Sequence, residues 1–296
     1  MEKKIIAVIG ATGVQGKGVI NGLLKNDNFI VRAVTRNPEK YSGKAHEAVF
    51  GDLTQEGTLE TAFKDAYGVF AVTNFWEPGG ADEMAQGTNA IHAAKKAGVE
   101  HFIWSTLPNA EVISGGKIDV PHFTGKAEVD ELVTNAGFKY HTFVQPPFYY
   151  QNLNGMLSPQ DLGNGKKGWA LPLNPTKKVI HMADINDLGL VVAGALLNPE
   201  KAGNGEYLSV AAELNSFNDV LSAFKSNGHD YDFAHAQEEE FSKIFEGAYE
   251  IAQTFKYFEA HTYMGADAAG QISLAKEISG GHFNSLNSWI KETIQA

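Results

Sequence analysis

The chain opens on an apolar run of strand length that breaks into three evenly spaced glycines, Lys4-Ile5-Ile6-Ala7-Val8-Ile9-Gly10-Ala11-Thr12-Gly13-Val14-Gln15-Gly16. An amphipathic run from Val19 to Lys25 follows at helical spacing. The order strand, tight turn, helix leaves few folds open. Gly10 permits the sharp turn, Gly13 lets backbone approach a pyrophosphate, and Gly16 lets the helix close on the strand. The start of the helix then offers unpaired N–H groups and the positive end of its dipole to an anion. A glycine triplet alone is often only a turn. With a strand before it and a helix after it, this one predicts a dinucleotide site.

The next segments carry the pattern on. Phe29 to Arg36 reads as a second strand, ending in Arg36-Asn37-Pro38-Glu39-Lys40. Folds selective for NAD usually place an acidic residue there to hold the ribose hydroxyls. A guanidinium at that point suits a 2′-phosphate instead, and Lys40 adds a second positive charge; the plainer reading is a solvated basic loop. Ala48 to Leu53 reads as a third strand whose carboxyl end puts Asp52 and Leu53 beside an adenine, although Asp52 is equally suited to capping the next helix. Gly68 to Asn74 is a fourth strand, followed by Phe75-Trp76-Glu77-Pro78-Gly79-Gly80, where two adjacent aromatics are placed either to wall a ligand pocket or to fill core.

A helix from Glu83 to Gly98, a strand from His101 to Thr106, a helix reaching about Asn135 and a strand closing at Val144-Gln145 complete the alternation. Strands alternating with helices predict an α/β fold of Rossmann type, a doubly wound parallel sheet with right-handed crossovers. The second half changes texture. It begins with the aromatic segment Phe148-Tyr149-Tyr150-Gln151-Asn152-Leu153, passes a short strand at Lys178 to Met182 and an apolar helix from Asp184 to Leu197, and ends in a helix from Phe283 to Gln295. We expect a nucleotide-binding domain over residues 1–152 and a smaller C-terminal α/β lobe over 153–296, packed on it as one unit.

Composition narrows the function classes. A formal charge of −11 argues against direct contact with a nucleic-acid backbone, which needs lysine and arginine to displace counterions. The absence of cysteine excludes disulfides, thiolate catalysis and cysteine metal sites. No apolar run approaches the roughly 20 residues of a membrane span, and the N-terminus leads straight into a strand, so a cytoplasmic protein is expected, with the nucleus a second location. His181, His229, His235, His261 and His282 show no metal-ligand spacing with carboxylates, and no metal site is expected.

With these residues in view, the chain resembles the NmrA-like, HSCARG-like branch of the atypical short-chain dehydrogenase superfamily. The matching segments are Gly10 to Gly16, Val34-Thr35-Arg36-Asn37-Pro38, Val72 to Glu77, His122-Phe123-Thr124-Gly125-Lys126-Ala127-Glu128-Val129 and Tyr149 to Leu153, in that order. The resemblance implies an NADP(H) site. It assigns the pyrophosphate to Gly10, Ala11, Thr12, Gly13, Val14 and Gln15, the 2′-phosphate to Arg36, Asn37 and Lys40, and the adenine to Asp52 and Leu53. Asn74, Phe75 and Trp76, with Lys126 and the segment Tyr149, Tyr150, Gln151 and Asn152, complete the cofactor set. One lysine of the family, in the helix after the fourth strand, corresponds to Ala85 here.

The chain departs from the superfamily in its chemistry. Short-chain dehydrogenases use a tyrosine four residues before a lysine; here His122 stands four residues before Lys126. The resemblance gives Lys126 to the nicotinamide ribose, or to the role of base, and leaves His122 as an acid–base candidate beside Ser105. Two functions follow. One is an NADP(H)-sensing regulator acting through a protein partner, a homodimer among the assemblies it allows, with loops at Phe75 to Gly80 and Gly115 to Val120 ordered by nucleotide. The other is an NADPH-dependent reductase of a small carbonyl, quinone or enone.

Overall fold

The computed structural model describes residues 2–163, 165–266 and 268–294. Six of the expected strands form as β1 (Lys4–Val8), β2 (Phe29–Thr35), β3 (Glu47–Phe50), β4 (Gly68–Ala71), β5 (His101–Ser105) and β6 (Tyr140–Gln145). Between them run α1 (Val14–Leu23), α2 (Glu56–Ala62), α3 (Glu83–Lys96), α4 (Ala110–Ser114) and α5 (Pro121–Asn135). The strands are parallel in the order β6-β5-β4-β1-β2-β3, and Asn204–Ser209 adds a seventh parallel strand beside β6. Neighbours diverge where the order reverses, between β1 and β4, so the crevice for a ligand opens there at the carboxyl ends.

Both faces of the sheet are covered. One face packs on α1, on α6 (Ile185–Leu197) and on the helix Ala268–Ser279 through Ile6, Val8, Val19, Leu188 and Ile278. The other packs on α2, α3 and α5 through Val69, Leu59, Ala90, Val129 and Phe143. Strands buried on both faces read as continuous apolar runs, and β1 and β4 do so. The α1–α6 contact is unusually close: a Cβ on Gly22 would lie 2.2 Å from the carbonyl carbon of Gly189.

The expected division at residue 152 needs correction. The second half returns to the sheet twice, as α6 with the seventh strand and as Ala268–Ser279. What remains is a lobe with its own core, in which Trp169, Phe217, Phe224, Tyr257 and Trp289 pack around two three-stranded sheets. One joins Phe148–Tyr149, Ile180–Ala183 and Glu213–Asn215; the other joins Gln160–Asp161, Lys167–Leu171 and Asp232–His235. Phe123 of α5 inserts into the lobe's core, against Tyr257 and Tyr263, and so joins the two layers. No described helix is long and apolar enough to cross a membrane.

Candidate nucleotide cleft and the histidine beside it

At the end of β1 the chain turns through Gly10, whose φ of +69° suits glycine. A Cβ on Gly16 would lie 2.1 Å from the Gly10 carbonyl oxygen, so the first turn of α1 rests on the loop's own backbone, where contact with the strand had been expected. Gly13 caps α1 without a side-chain hydrogen bond, and no acidic residue occupies its first turn. Among the described residues nothing accepts a hydrogen bond from the N–H groups of Thr12, Val14 or Gln15, and Thr12, Gly13 and Val14 are exposed. Uncompensated donors at the positive end of a helix are the chemistry an anionic phosphate satisfies. Ala11 is buried beneath them.

Gln15 links this loop to two other strand ends. Its Oε1 accepts from the Ser105 hydroxyl at 2.7 Å, and the Tyr149 phenol hydrogen-bonds to the same side chain. Burial holds that phenol well above its usual range, so Tyr149 keeps its proton at neutral pH.

The basic end of β2 is engaged. Arg36, mostly exposed, pairs through Nη1 with Glu77 of the segment after β4. Lys40 closes the short turn Pro38–Lys40 and is exposed, and the Asn37 N–H bonds to the Thr35 hydroxyl at 3.3 Å. Asp52 makes a local turn, its Oδ1 accepting from the Thr54 N–H at 2.9 Å and hydroxyl at 2.8 Å; the cap of α2 is Gln55, not Asp52. The Leu53 carbonyl accepts from Asn89. Asn74 is exposed and starts the turn that carries Glu77 back toward Arg36.

Lys126 and His122 lie one turn apart on α5 and have different partners. Lys126 is buried, and Nζ donates to the Thr73 carbonyl (3.1 Å), the Thr73 hydroxyl (3.0 Å) and Glu83. Burial pulls its ammonium below the usual lysine range, against the upward pull of the Glu83 carboxylate. The resemblance gave this ammonium to the ribose; here it is committed to a carboxylate, because Glu83 in the first turn of α3 meets α5 across the carboxyl end of β4. Ala85, at the place of the family lysine, donates its N–H to the cap residue Asp82.

His122 Nδ1 lies 2.6 Å from Glu250 Oε1, which also accepts the His122 backbone N–H at 2.9 Å. Glu250 stands in the first turn of the helix Ala248–His261, on the opposite layer of the molecule. Nε2 of His122 has no partner among the described residues and is not sealed from solvent. Around the imidazole stand Phe75, with ring centroids 5.9 Å away, Trp76 at 5.5 Å and Phe123 at 4.8 Å. The edge of Trp76 in turn covers Gly247, where a Cβ would lie 2.9 Å from the indole. The two aromatics after β4 therefore pack around the His122 imidazole, and Trp76 bridges to the lobe.

The segment after β6 divides. Tyr149 reaches the cleft. Tyr150 is fully buried, with its hydroxyl 3.2 Å from the Asn284 carbonyl and its ring against Trp289, so it serves the lobe's core. Gln151 braces the start of α6, its Nε2 donating to the cap residue Asp184 Oδ1 at 2.9 Å and its Oε1 accepting from the Ile185 N–H at 3.1 Å. Asn152 turns the chain by accepting from the Gly155 and Leu157 N–H groups. Tyr150 and Gln151, expected at the cofactor, take their side-chain partners in the lobe and at the start of α6. Glu83, Thr73 and Glu250 were not foreseen. Only Glu83 left a trace, as an acidic residue in a first helical turn, where a helix dipole already explains it.

The parallel sheet with helices on both faces and a glycine turn after β1 defines an α/β protein of Rossmann type. The family model described as the NmrA-like family matches residues 2–289, and the chain belongs to that family. It is 31% identical over 244 residues to an NmrA-like family domain-containing oxidoreductase of Aspergillus japonicus, covering 75% of this chain and 72% of that protein. It is also 31% identical over 227 residues to an NmrA-like family domain-containing protein of Dictyostelium discoideum, covering 72% and 74%. Among solved structures it resembles the negative transcriptional regulator NmrA in complex with NADP, at 21% identity and TM-score 0.80 over 99% of this chain and 96% of that one. It likewise resembles an NADPH-dependent quinone oxidoreductase of Escherichia coli in complex with NADPH, at 18% identity and TM-score 0.75 over 98% and 100%.

Proposed function

We propose that this chain binds NADP(H) and reduces a small planar carbonyl, quinone or enone compound, with His122 as the proton donor. The His122–Glu250 pair carries this reading: a carboxylate fixes Nδ1 while Nε2 is left without a partner among the described residues, beside two aromatic rings. The free donors of the glycine loop fit a pyrophosphate, and Arg36 with Lys40 fits a 2′-phosphate, which favours NADP over NAD. When bound, NADPH would supply a hydride to the substrate.

The chain's own residues do the rest. Phe75 and Trp76 hold a flat substrate against the imidazole and exclude water. Imidazolium Nε2–H gives its proton to the substrate atom that gains the electron pair, while Nδ1–H keeps its bond to Glu250. The neutral imidazole then regains a proton from water through Nε2, which closes the proton balance. Lys126 is not the donor in this scheme, because its ammonium is held by Glu83 and Thr73.

A second reading, an NADP(H)-responsive regulator acting through a protein partner, is favoured by the segment after β4. Glu77 holds Arg36 while Trp76 covers Gly247, so a phosphate competing for Arg36 would be felt in the lobe, next to the exposed Ile244, Phe245 and Tyr249. The deciding experiment follows NADPH oxidation by the full chain with a panel of quinones, enones and aldehydes. Turnover that His122→Phe removes, with nucleotide affinity intact, supports the reductase. Tight NADPH binding without turnover on any of them leaves the regulator.

A further inference from the structure

We propose that Tyr149 is a further substrate-binding residue of the cleft, its phenol O–H donating to the oxygen of the compound being reduced. The inference rests on the reductase reading above and adds a second contact to the one made by His122.

The topology says which half of a dinucleotide this residue would meet. The glycine loop stands where the strand order turns, between β1 and β4. Arg36 and Lys40, after β2, suit the half that carries the 2′-phosphate, so the other half runs over the ends of β4 and β5. Ser105 ends β5, and Tyr149 follows the neighbouring strand β6. The redox end of a dinucleotide, with its substrate, belongs on their side of the loop.

Three side chains there form a directed series. The buried Ser105 hydroxyl donates to Gln15 Oε1 at 2.7 Å, which leaves the amide N–H groups of Gln15 for the Tyr149 phenol oxygen. Gln15 opposes the upward pull of burial on that phenol, as a donor to its oxygen does. The phenol thus receives a hydrogen bond and keeps its own proton to give. Among the described residues nothing accepts that proton, and the half-buried side chain does not seal its hydroxyl from solvent.

The neighbouring phenols are placed differently. Tyr150 donates to the Asn284 carbonyl at 3.2 Å, and the Tyr257 hydroxyl is sealed in without a partner. Tyr263 is buried, with its phenol next to that of Tyr149 and its ring centroid 5.5 Å from that of Phe123. Phe123 in turn lies 4.8 Å from the His122 ring. A line of rings therefore runs from Tyr149 to the imidazole.

A free phenol donor on this side of the loop suits an oxygen that gains charge. As the hydride adds to the carbonyl carbon, the π pair of the C=O bond moves onto the oxygen. The Tyr149 O–H stabilises that charge by a hydrogen bond and keeps its proton, because burial holds the phenol well above its usual range. The proton that completes the product comes from His122 Nε2.

Calorimetric titration of the full chain, saturated with NADP+ at pH 8, with 4-nitrophenolate as the charged-oxygen probe and nitrobenzene as its oxyanion-free counterpart, tests the role. Tyr149→Phe is expected to weaken 4-nitrophenolate by roughly tenfold and to leave nitrobenzene and NADP+ within about twofold. No phenolate binding by the parent chain, an unchanged phenolate affinity in folded Tyr149→Phe, an equal loss for both probes, or a loss that falls on NADP+ instead would overturn the proposal. Should Tyr149→Phe fail to fold, Gln15→Leu takes its place; removing the donor to the phenol is expected to weaken the phenolate more than nitrobenzene, and equal effects overturn the proposal. NADPH oxidation that persists while Tyr149→Phe leaves phenolate binding unchanged would remove this role and keep the reductase, whereas no turnover on any acceptor removes the reductase and this role with it.

Discussion

The Arg36 guanidinium is held by the carboxylate of Glu77, which arrives from the far side of the glycine loop. On the proposed reading, the residue offered to a 2′-phosphate therefore carries an internal anion that the ligand must displace. Arg36→Ala should weaken NADPH binding by roughly tenfold or more and leave NADH binding within about twofold, as expected for the loss of a charge-assisted bond to phosphate. Glu77→Gln should act in the opposite direction, tightening NADPH by about two- to fivefold, because an exposed ion pair is weak. Fluorescence titration measures both, and equal effects on the two nucleotides would count against the assignment.

Glu250 reaches His122 from the opposite layer of the molecule, and its effect should be separable from binding. In a reductase, Glu250→Gln should lower kcat by roughly 10- to 100-fold with the KM for NADPH unchanged, whereas His122→Phe should lower it by about 10² or more. Steady-state kinetics that put the loss of Glu250→Gln into KM would remove its positioning role.

The Lys126–Glu83 pair is buried on both sides, with side-chain exposures of 8% and 4%. Removing one partner strands the other, so Lys126→Met should destabilise the chain by about 3 kcal/mol in urea unfolding. Adding Glu83→Gln should recover more than half of that, since the glutamine keeps its bond from the Thr73 hydroxyl. Additive losses in the double variant would mean that the pair is not coupled.

Opposing titrations should flatten the pH dependence of stability. Burial raises the carboxyls of Asp130 and Asp187 to about 7, so each favours the folded state below its unfolded value and loses that contribution as pH rises from about 4 to 7. Burial lowers His181 to about 4 and His101 to about 3, so each loses stability as pH falls below about 6.5. The sum is nearly level between pH 4 and 6.5, and only variants separate the terms. Asp187→Asn, which keeps an acceptor for the Asn284 N–H, should gain on the parent chain progressively from pH 4 to 7, by about 1 to 3 kcal/mol in all. A gain independent of pH would contradict the assignment.

Where side chains repeat, the sequence was legible. Doubly buried strands such as Ile6-Ala7-Val8 and Val69-Phe70-Ala71 are apolar throughout, and α6 starts at its cap Asp184, where the sequence placed it. The seventh strand, Asn204-Gly205-Glu206-Tyr207-Leu208-Ser209, escaped because it lies at a sheet edge with an irregular register and carries no apolar run. The glycine loop was legible as strand, turn and helix because that geometry is local. The partners of Arg36, Lys126 and His122 were not, since Glu77, Glu83 and Glu250 meet them only through the fold, and nothing in sequence spacing distinguishes an acidic residue that meets a buried lysine from one that faces water. The partners of Tyr150 and Gln151 were hidden for the same reason: Asn284 and Asp184 meet them only through the fold.

The glycine seam between α1 and α6 has a kinetic meaning. The helix that follows the glycine loop can settle only once residues 185–197 have been synthesised and laid against it, because Gly22 and Gly189 touch backbone to backbone. The N-terminal half emerges from the ribosome long before its cover, with the apolar face of β1 and β2 bare in the interval. A fragment ending at residue 152 should therefore be a client for chaperones, and the glycine loop, although it is made first, should be among the last parts of the molecule to become rigid.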